Sequence, residues 1–175
     1  WLLFFAWGGL AALSAVWPLQ HLTHPPQKAE LEIVAIGSDK MYQARIVRLN
    51  GRAMLPAVGV TLYGNTLPQP GCAGQRWKMT LTLRPVHGQL NEGGFDAQRY
   101  ALAQHQSLTG RFTNPEVTDD RCSLRARYLA TLTARLSSYT WGPVLLGLGM
   151  GEGLALTPDI KDLMRQTGTA HLMGI

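Results

Sequence analysis

The chain of 175 residues has room for one ordinary domain with appendages, or for one small domain between membrane-facing segments. Charged residues make up 15% of it, well below the roughly 25% of soluble domains, while the hydrophobic share of 46% is ordinary. With 16 Lys and Arg against 11 Asp and Glu, the net charge of +5 favours phosphates, of nucleic acid or of anionic lipid, without choosing between them.

The charge is unevenly placed, because residues 1–27 carry none of it. The stretch "WLLFFAWGGLAALSAVW" is uncharged and mostly apolar up to Pro18. A spanning helix needs about 20 residues, so residues 1–20 are expected to be a transmembrane helix whose start has been cut away, the chain opening on Trp1 and not Met. Trp17 fits an interfacial anchor, and the following "PLQHLTHPP" fits a helix stop. A signal peptide is the rival, but no basic segment precedes the apolar run and no small-x-small cleavage site follows it. A buried core helix is the other alternative.

From Lys28 the pattern turns to strands. "AELEIVAI" is rich in β-branched residues, and "MYQARIVRLNGRAMLPAVGVTLYG" reads as two strands joined at Asn50-Gly51, a strong hairpin signal. After the turn-rich "LPQPGCAGQ", the run "RWKMTLTLRPV" alternates Trp77, Met79, Leu81 and Leu83 against Lys78, Thr80, Thr82 and Arg84. "FDAQRYALAQHQ" is helical in composition and "LTGRF" returns to strand. Short strands with one helix before the last form the layout of a small, partly open Greek-key barrel, the OB-fold.

From Asp119 the chain becomes helical: "DDRCSLRARYLATLTARLSSY" puts Leu124, Tyr128, Leu132, Leu136 and Tyr139 on one arc. Arg121, Arg125, Arg127 and Arg135 follow Asp120 with no acid among them, which suggests a helix at a membrane surface with guanidinium groups on phosphates. Arg125 and Arg135 project near the apolar arc and would have to snorkel. An amphipathic helix packed on a domain is the alternative. Beyond it come an apolar, Gly-rich run, a helix start at Thr157-Pro158-Asp159 and a helix end near Thr167-Gly168.

No catalytic constellation emerges. "GLGMGEG" sets Gly147, Gly149, Gly151 and Gly153 in no dinucleotide register, and no Walker lysine follows. His21, His24, His87, His105 and His171 are scattered, and no Ser-His-Asp pattern or GxSxG elbow is present. Cys72 and Cys122 have no neighbouring Cys or His in metal-ligand spacing, so no metal and no cofactor is expected. The two thiols are unrelated buried residues or, if this segment faces an oxidising compartment, a disulfide closing a loop worth roughly 4 kcal/mol.

The basic strands carry another reading. Arg45, Arg48, Arg76, Lys78 and Arg84 lie on or beside the sheet, with aromatic residues nearby in sequence. Stacking on aromatics in a basic groove is how OB-folds hold single strands, which makes these residues candidate DNA contacts and Trp77 a candidate stacking residue. Trp77 cannot share a strand face with both Arg76 and Lys78. The alternative is a solvated outer face over a core that contains the aromatics. Eleven basic against eight acidic residues between Lys28 and Arg121 leave only a small surplus.

Two stretches resemble a known family. "NEGGFDAQRYALAQHQSLTGRF" resembles the GGFD-x-x-RY helix in the extracytoplasmic domain of ComEC-type competence proteins. "LLGLGMGEGLALTPDIKDLMRQTGTAHLMGI" is similar to the opening of their competence domain, where R-x-TGT-x-HL-x-x-I leads into a Ser-Gly-Leu-His motif. Here Met173-Gly174-Ile175 stands where the family more often has Ala before Ile-Ser-Gly-Leu-His. The resemblance implies a polytopic channel of the bacterial inner membrane that imports single-stranded DNA during natural transformation. It implies an OB-fold over 28–118 in the periplasm, a basic membrane-surface helix over 119–140 and the start of the channel domain over 141–175. It further implies a Cys72–Cys122 disulfide, kept oxidised outside the cytoplasm. The implied partners are single-stranded DNA, lipid, the remaining channel domain and other competence proteins. The nuclease domain of many members has no counterpart here, so no enzymatic residue carries over. The competing expectation is that the barrel is a folding and docking platform for the channel domain and touches no DNA.

Overall fold

The computed structural model describes all residues except 24–25, 38–39, 65, 89–93, 152–155, 157, 170 and 172–175. Part of the GGFD stretch, His24, Gly153 and the Met173–Gly174–Ile175 end therefore lie outside the described residues. The chain divides into two units, Trp1–Cys122 and Ser123–Ile175.

The first unit opens with helix α1 (Leu2–His21), long and apolar enough to cross a membrane by length and composition. It does not stop at Pro18. The proline removes one hydrogen-bond donor, yet the helix runs on to His21, whose ring stacks on Trp17 at 4.9 Å and whose Nδ1 donates to the Trp17 carbonyl. Leu22 then turns into the core at 2% exposure, its N–H donating to the Pro18 carbonyl.

Five strands follow: β1 (Gln27–Ile36), β2 (Met41–Leu49), β3 (Arg52–Tyr63), β4 (Arg76–Pro85) and β5 (Leu108–Asp119), with helix α2 (Ala97–Ala103) between the last two. They close into a barrel in the order β1-β2-β3-β5-β4, and β4 pairs back onto β1. All pairings are antiparallel except β3 with β5, where Val60, Thr61 and Leu62 lie beside Leu108, Thr109 and Gly110. This is the OB-fold-like Greek-key arrangement that the element order predicts.

Local rules explain most of it. Asn50 and Gly51 both take positive φ, 48° and 83°, as a two-residue hairpin turn requires. Alternation in β4 puts Trp77, Met79, Leu81 and Leu83 into the core and Lys78, Thr82 and Arg84 outside. Leu31, Ile33, Ala44, Ile46, Val60, Leu62, Leu108 and Phe112 complete the buried layer, with Tyr42 edge-on to Phe112 at 5.8 Å. Two glycines mark close backbone approaches. A Cβ at Gly59 would run into the His105 carbonyl, and one at Gly110 would lie 2.5 Å from the Thr82 carbonyl oxygen.

Cys72 and Cys122 form a disulfide with Cα atoms 5.6 Å apart, tying the approach to β4 to the chain leaving β5. Between them the Gln75 side chain, 5% exposed, makes three hydrogen bonds. Its Oε1 accepts from the Cys72 N–H and the Trp77 indole Nε1–H, and its amide nitrogen donates to the Asp120 carbonyl.

The second unit contains α3 (Leu124–Leu136), α4 (Gly142–Met150) and α5 (Pro158–Gln166). Ser123 caps α3, its Oγ accepting from the Ala126 N–H. A Cβ at Gly142 would meet the Leu136 carbonyl, so the turn from α3 into α4 needs a residue without one. The apolar, Gly-rich run before Gly151 is helix α4, ended by Gly151 in the left-handed conformation.

Candidate nucleic-acid interface

The outer surface of the barrel has two parts of different electrostatic character. Across β2, β1, β4 and β5, strand register lines up Arg48, Glu30, Lys78 and Glu116 in one row. The next row is Arg45, Glu32, Arg76 and Asp119. Sign alternates along both. Two pairs close to ion-pair distance, Arg48 with Glu30 at 3.7 Å and Arg76 with Glu32 at 3.4 Å. Arg121 extends the second row by holding both Asp119 carboxylate oxygens, Nε at 2.9 and 3.3 Å from them and an amino group at 2.8 Å from one. These hydrogen bonds, with a further one from the Arg121 backbone N–H, hold the Asp119 pKa down to about 2. Four of the predicted phosphate contacts, Arg45, Arg48, Arg76 and Lys78, thus sit on a surface whose charge is balanced between neighbouring strands.

Trp77 is fully buried and its indole N–H is committed to Gln75, which removes it from any surface stacking role. The alternation that places its neighbours outside places Trp77 inside.

The sixth candidate, Arg84, belongs to the other part. It faces Thr109 across the β4–β5 pairing, and one step along the same face Thr82 faces Arg111. This face carries a depression of about 600 Å³ bounded by Tyr63, Arg84 and Arg111. It continues, sharing Tyr63, Arg84 and Thr109, into a groove of about 680 Å³ under α2. The groove is lined by the start of β2, the end of β3, the end of β4 and α2, with Phe95, Tyr100 and His87 on its walls. No carboxylate lines either depression among the described residues. Tyr63, Phe95 and Tyr100 are 47%, 70% and 57% exposed, and the Phe95 and Tyr100 rings meet at 5.4 Å. At the groove, the Gln106 amide oxygen is buried with no hydrogen-bond partner among the described residues.

Physical causes place these groups. Asp96 caps α2, its side chain accepting from the Arg99 N–H, which starts the helix just after Phe95 and puts Tyr100 one turn on. Gly59 lets the His105 carbonyl close against β3, drawing the α2–β5 connection over the sheet. The aromatics came from a stretch that reads only as a helix, and Arg111 from the fifth strand. Neither signals its convergence with Tyr63 in sequence.

The predicted surface arginines also divide. Helix α3 begins at Leu124, so Arg121 is off the helix and paired in the barrel unit. The chain at Asp119 is still strand, opposite Arg76, and the disulfide at Cys122 precedes the cap, which is why the helix starts later than the composition implies. Arg125 donates to the Met150 carbonyl at 2.8 Å, satisfying an end of α4. Arg127 and Arg135 are exposed, as are Leu124, Tyr128 and Tyr139. His171 is exposed with Nδ1 donating to the Gly168 carbonyl at 2.8 Å. No group of three or more His, Cys, Asp or Glu stands close enough to hold a metal among the described residues.

No family model and no solved structure matches the chain. It is 53% identical over 174 residues to an uncharacterized protein of Escherichia coli K12, YcaI, across 99% of this chain and 23% of that protein. It is 26% identical over 167 residues to Recombination protein 2 of Haemophilus influenzae, across 94% of this chain and 21% of that protein. The chain therefore spans less than a quarter of the length of these two curated relatives.

Proposed function

We propose that this chain is the DNA-receiving part of a ComEC-type channel in the bacterial inner membrane. In this reading α1 anchors it, the barrel lies in the periplasm, and a single strand enters the groove under α2. The strand's bases stack on Tyr63, Phe95 and Tyr100 while Arg84 and Arg111 take its phosphates, before transfer to the channel domain of the same protein. The observation that carries the reading is the groove itself: three exposed aromatics and two arginines on a surface lined by no carboxylate among the described residues. Oligonucleotide ligands of OB-folds lie on strands 2 and 3, and the start of β2 and the end of β3 line this groove together with the β4–β5 connection. The similarity to Recombination protein 2, a protein named for recombination, supports a DNA-handling role, as does the resemblance of the GGFD and TGT-x-HL stretches to the competence family. A periplasmic site suits the disulfide. The proposal gives the chain no enzymatic step and no cofactor.

The test uses the whole chain in lipid nanodiscs and a fluorescein-labelled oligonucleotide, single-stranded or duplex, read by anisotropy across a salt series. Single-strand preference is expected, with a log–log salt slope of roughly −0.7 per phosphate engaged. No binding at low salt, or binding indifferent to salt, overturns the electrostatic part. Equal affinity for duplex overturns the stacking part.

One observation favours a second reading, a docking platform that touches no DNA: the charge-balanced rows set Arg45, Arg48, Arg76 and Lys78 opposite acidic residues of neighbouring strands. Under that reading, substitutions in the groove leave DNA uptake unchanged.

A further inference from the structure

Pairing between β2 and β3 is interrupted at one place. Ile46 faces Val58 and Arg48 faces Ala53, so residues 54–57 stand opposite Val47 alone and bulge out of the ladder. The bulge is Met54, Leu55, Pro56 and Ala57, with no charge and with Leu55 93% exposed. It faces a single stripe of α1. Leu10, Leu13, Ser14, Trp17 and Pro18 recur at helical spacing and, with the bulge, line an open apolar groove of about 430 Å³. The Ser14 hydroxyl donates back to the Ala11 carbonyl of its own helix.

We infer that this bulge is a membrane-inserting element, placing Leu55 at the boundary between headgroups and acyl chains beside α1. The inference rests on α1 spanning the bilayer. A helix apolar on every side is surrounded by hydrocarbon, and the stripe facing the bulge begins at Leu10, eleven residues before the helix end at His21. At 1.5 Å per residue Leu10 lies about 16 Å along the helix from His21 and about 10 Å from Trp17. Whatever surrounds Leu10 to Trp17 therefore surrounds Leu55 as well, and its chemistry is that of lipid. The bulge does not reach the hydrocarbon centre, because its unladdered backbone groups need headgroup or water partners. Cations frame it at this level. Exposed Arg52 stands three residues before Leu55, and Arg45 shares an adjoining depression with Ser14 and Pro56. Both suit anionic headgroup phosphates.

The disulfide leaves no free thiol, so a single introduced cysteine can be labelled selectively. Leu55→Cys carrying an environment-sensitive nitrobenzoxadiazole probe is placed in vesicles of phosphatidylcholine and phosphatidylglycerol, beside Leu3→Cys in α1 and Thr66→Cys past the far end of β3. At position 55 the emission is expected to be blue-shifted relative to position 66. Lipid bearing a nitroxide near the headgroup should quench it more than lipid bearing one near the chain end. Probe 3 quenched with probe 55 unquenched overturns the insertion alone, whether probe 55 is water-like or is blue-shifted by contact with protein. Probe 3 unquenched overturns the membrane anchor beneath it.

Discussion

Replacing Gln75 with leucine should unfold the barrel unit far more easily than a loop substitution of equal volume would. Gln75 precedes β4 at 5% exposure and closes three hydrogen bonds there. Leucine fills the same space and makes none of them. The Cys72 N–H and the Asp120 carbonyl are only part-buried, so water can replace most of what they lose. The Trp77 indole N–H cannot be reached, because Trp77 has no exposure at all. An orphaned buried donor costs about 1–3 kcal/mol, and the two part-buried bonds add roughly 0.5–1 kcal/mol each at most. The sum, about 2–5 kcal/mol, corresponds to roughly 10–25 °C in Tm for a domain of this size. Thermal and urea unfolding followed by circular dichroism measures it. The cycle with Trp77→Phe isolates the cause, since phenylalanine has no indole donor to strand. The cost of Q75L should fall by about 1–2 kcal/mol in the W77F background. A Q75L variant as stable as wild type, or equal costs in both backgrounds, would show that the Gln75–Trp77 hydrogen bond does not stabilise the barrel.

Cys72→Ser with Cys122→Ser should lower stability by about 4 kcal/mol, the loop-closure value for fifty residues, with reductant doing nothing further to that variant; equilibrium unfolding with and without dithiothreitol checks this. Asp119 should titrate near 2, and Arg121→Ala should return it toward the ordinary 3.8, as read by carboxyl carbon chemical shifts against pH. Because the folded value is depressed, the stability Asp119 contributes is complete above about 4 and is lost as pH falls from there toward 2, a loss that Arg121→Ala should reduce while the residue-121 backbone N–H keeps its part. Gly59→Ala should destabilise the barrel and loosen the α2–β5 connection, since the new methyl meets the His105 carbonyl; hydrogen exchange at residues 100–107 should speed up more than at β1.

Much of the fold was legible because it rests on short-range rules. The Asn50-Gly51 turn, the alternation in β4 and the single helix before the last strand read directly from the chain, and together they predict the barrel. The limits of the sequence lay in long-range register. Nothing local says that Arg48 and Lys78 flank Glu30, or that Arg45 and Arg76 flank Glu32, and this pairing turns a basic strand pattern into a balanced surface. The same ignorance hid the groove, whose cations and rings come from β3, β4, β5 and α2. Trp77 shows the limit from the other side. Alternation already excluded it from the face of Arg76 and Lys78, but only the core around it shows which face was wet. The helix expected over residues 1–20 ends at His21, inside the stretch read as its stop, and Leu22 then packs into the core.

Single-stranded DNA binding by two double variants of the whole chain in nanodiscs distinguishes the groove from the charged rows. Tyr63→Ala with Arg84→Ala removes a stacking ring and a cation from the groove. Arg45→Ala with Arg48→Ala removes two cations from the balanced rows. Stacking is worth about 1–3 kcal/mol per base, so the groove variant should lose roughly tenfold to a hundredfold or more in affinity and have a shallower salt slope. The row variant should bind within a few-fold of wild type. Wild-type affinity in the groove variant, with the loss falling on the row variant instead, would contradict the assignment of DNA to the groove.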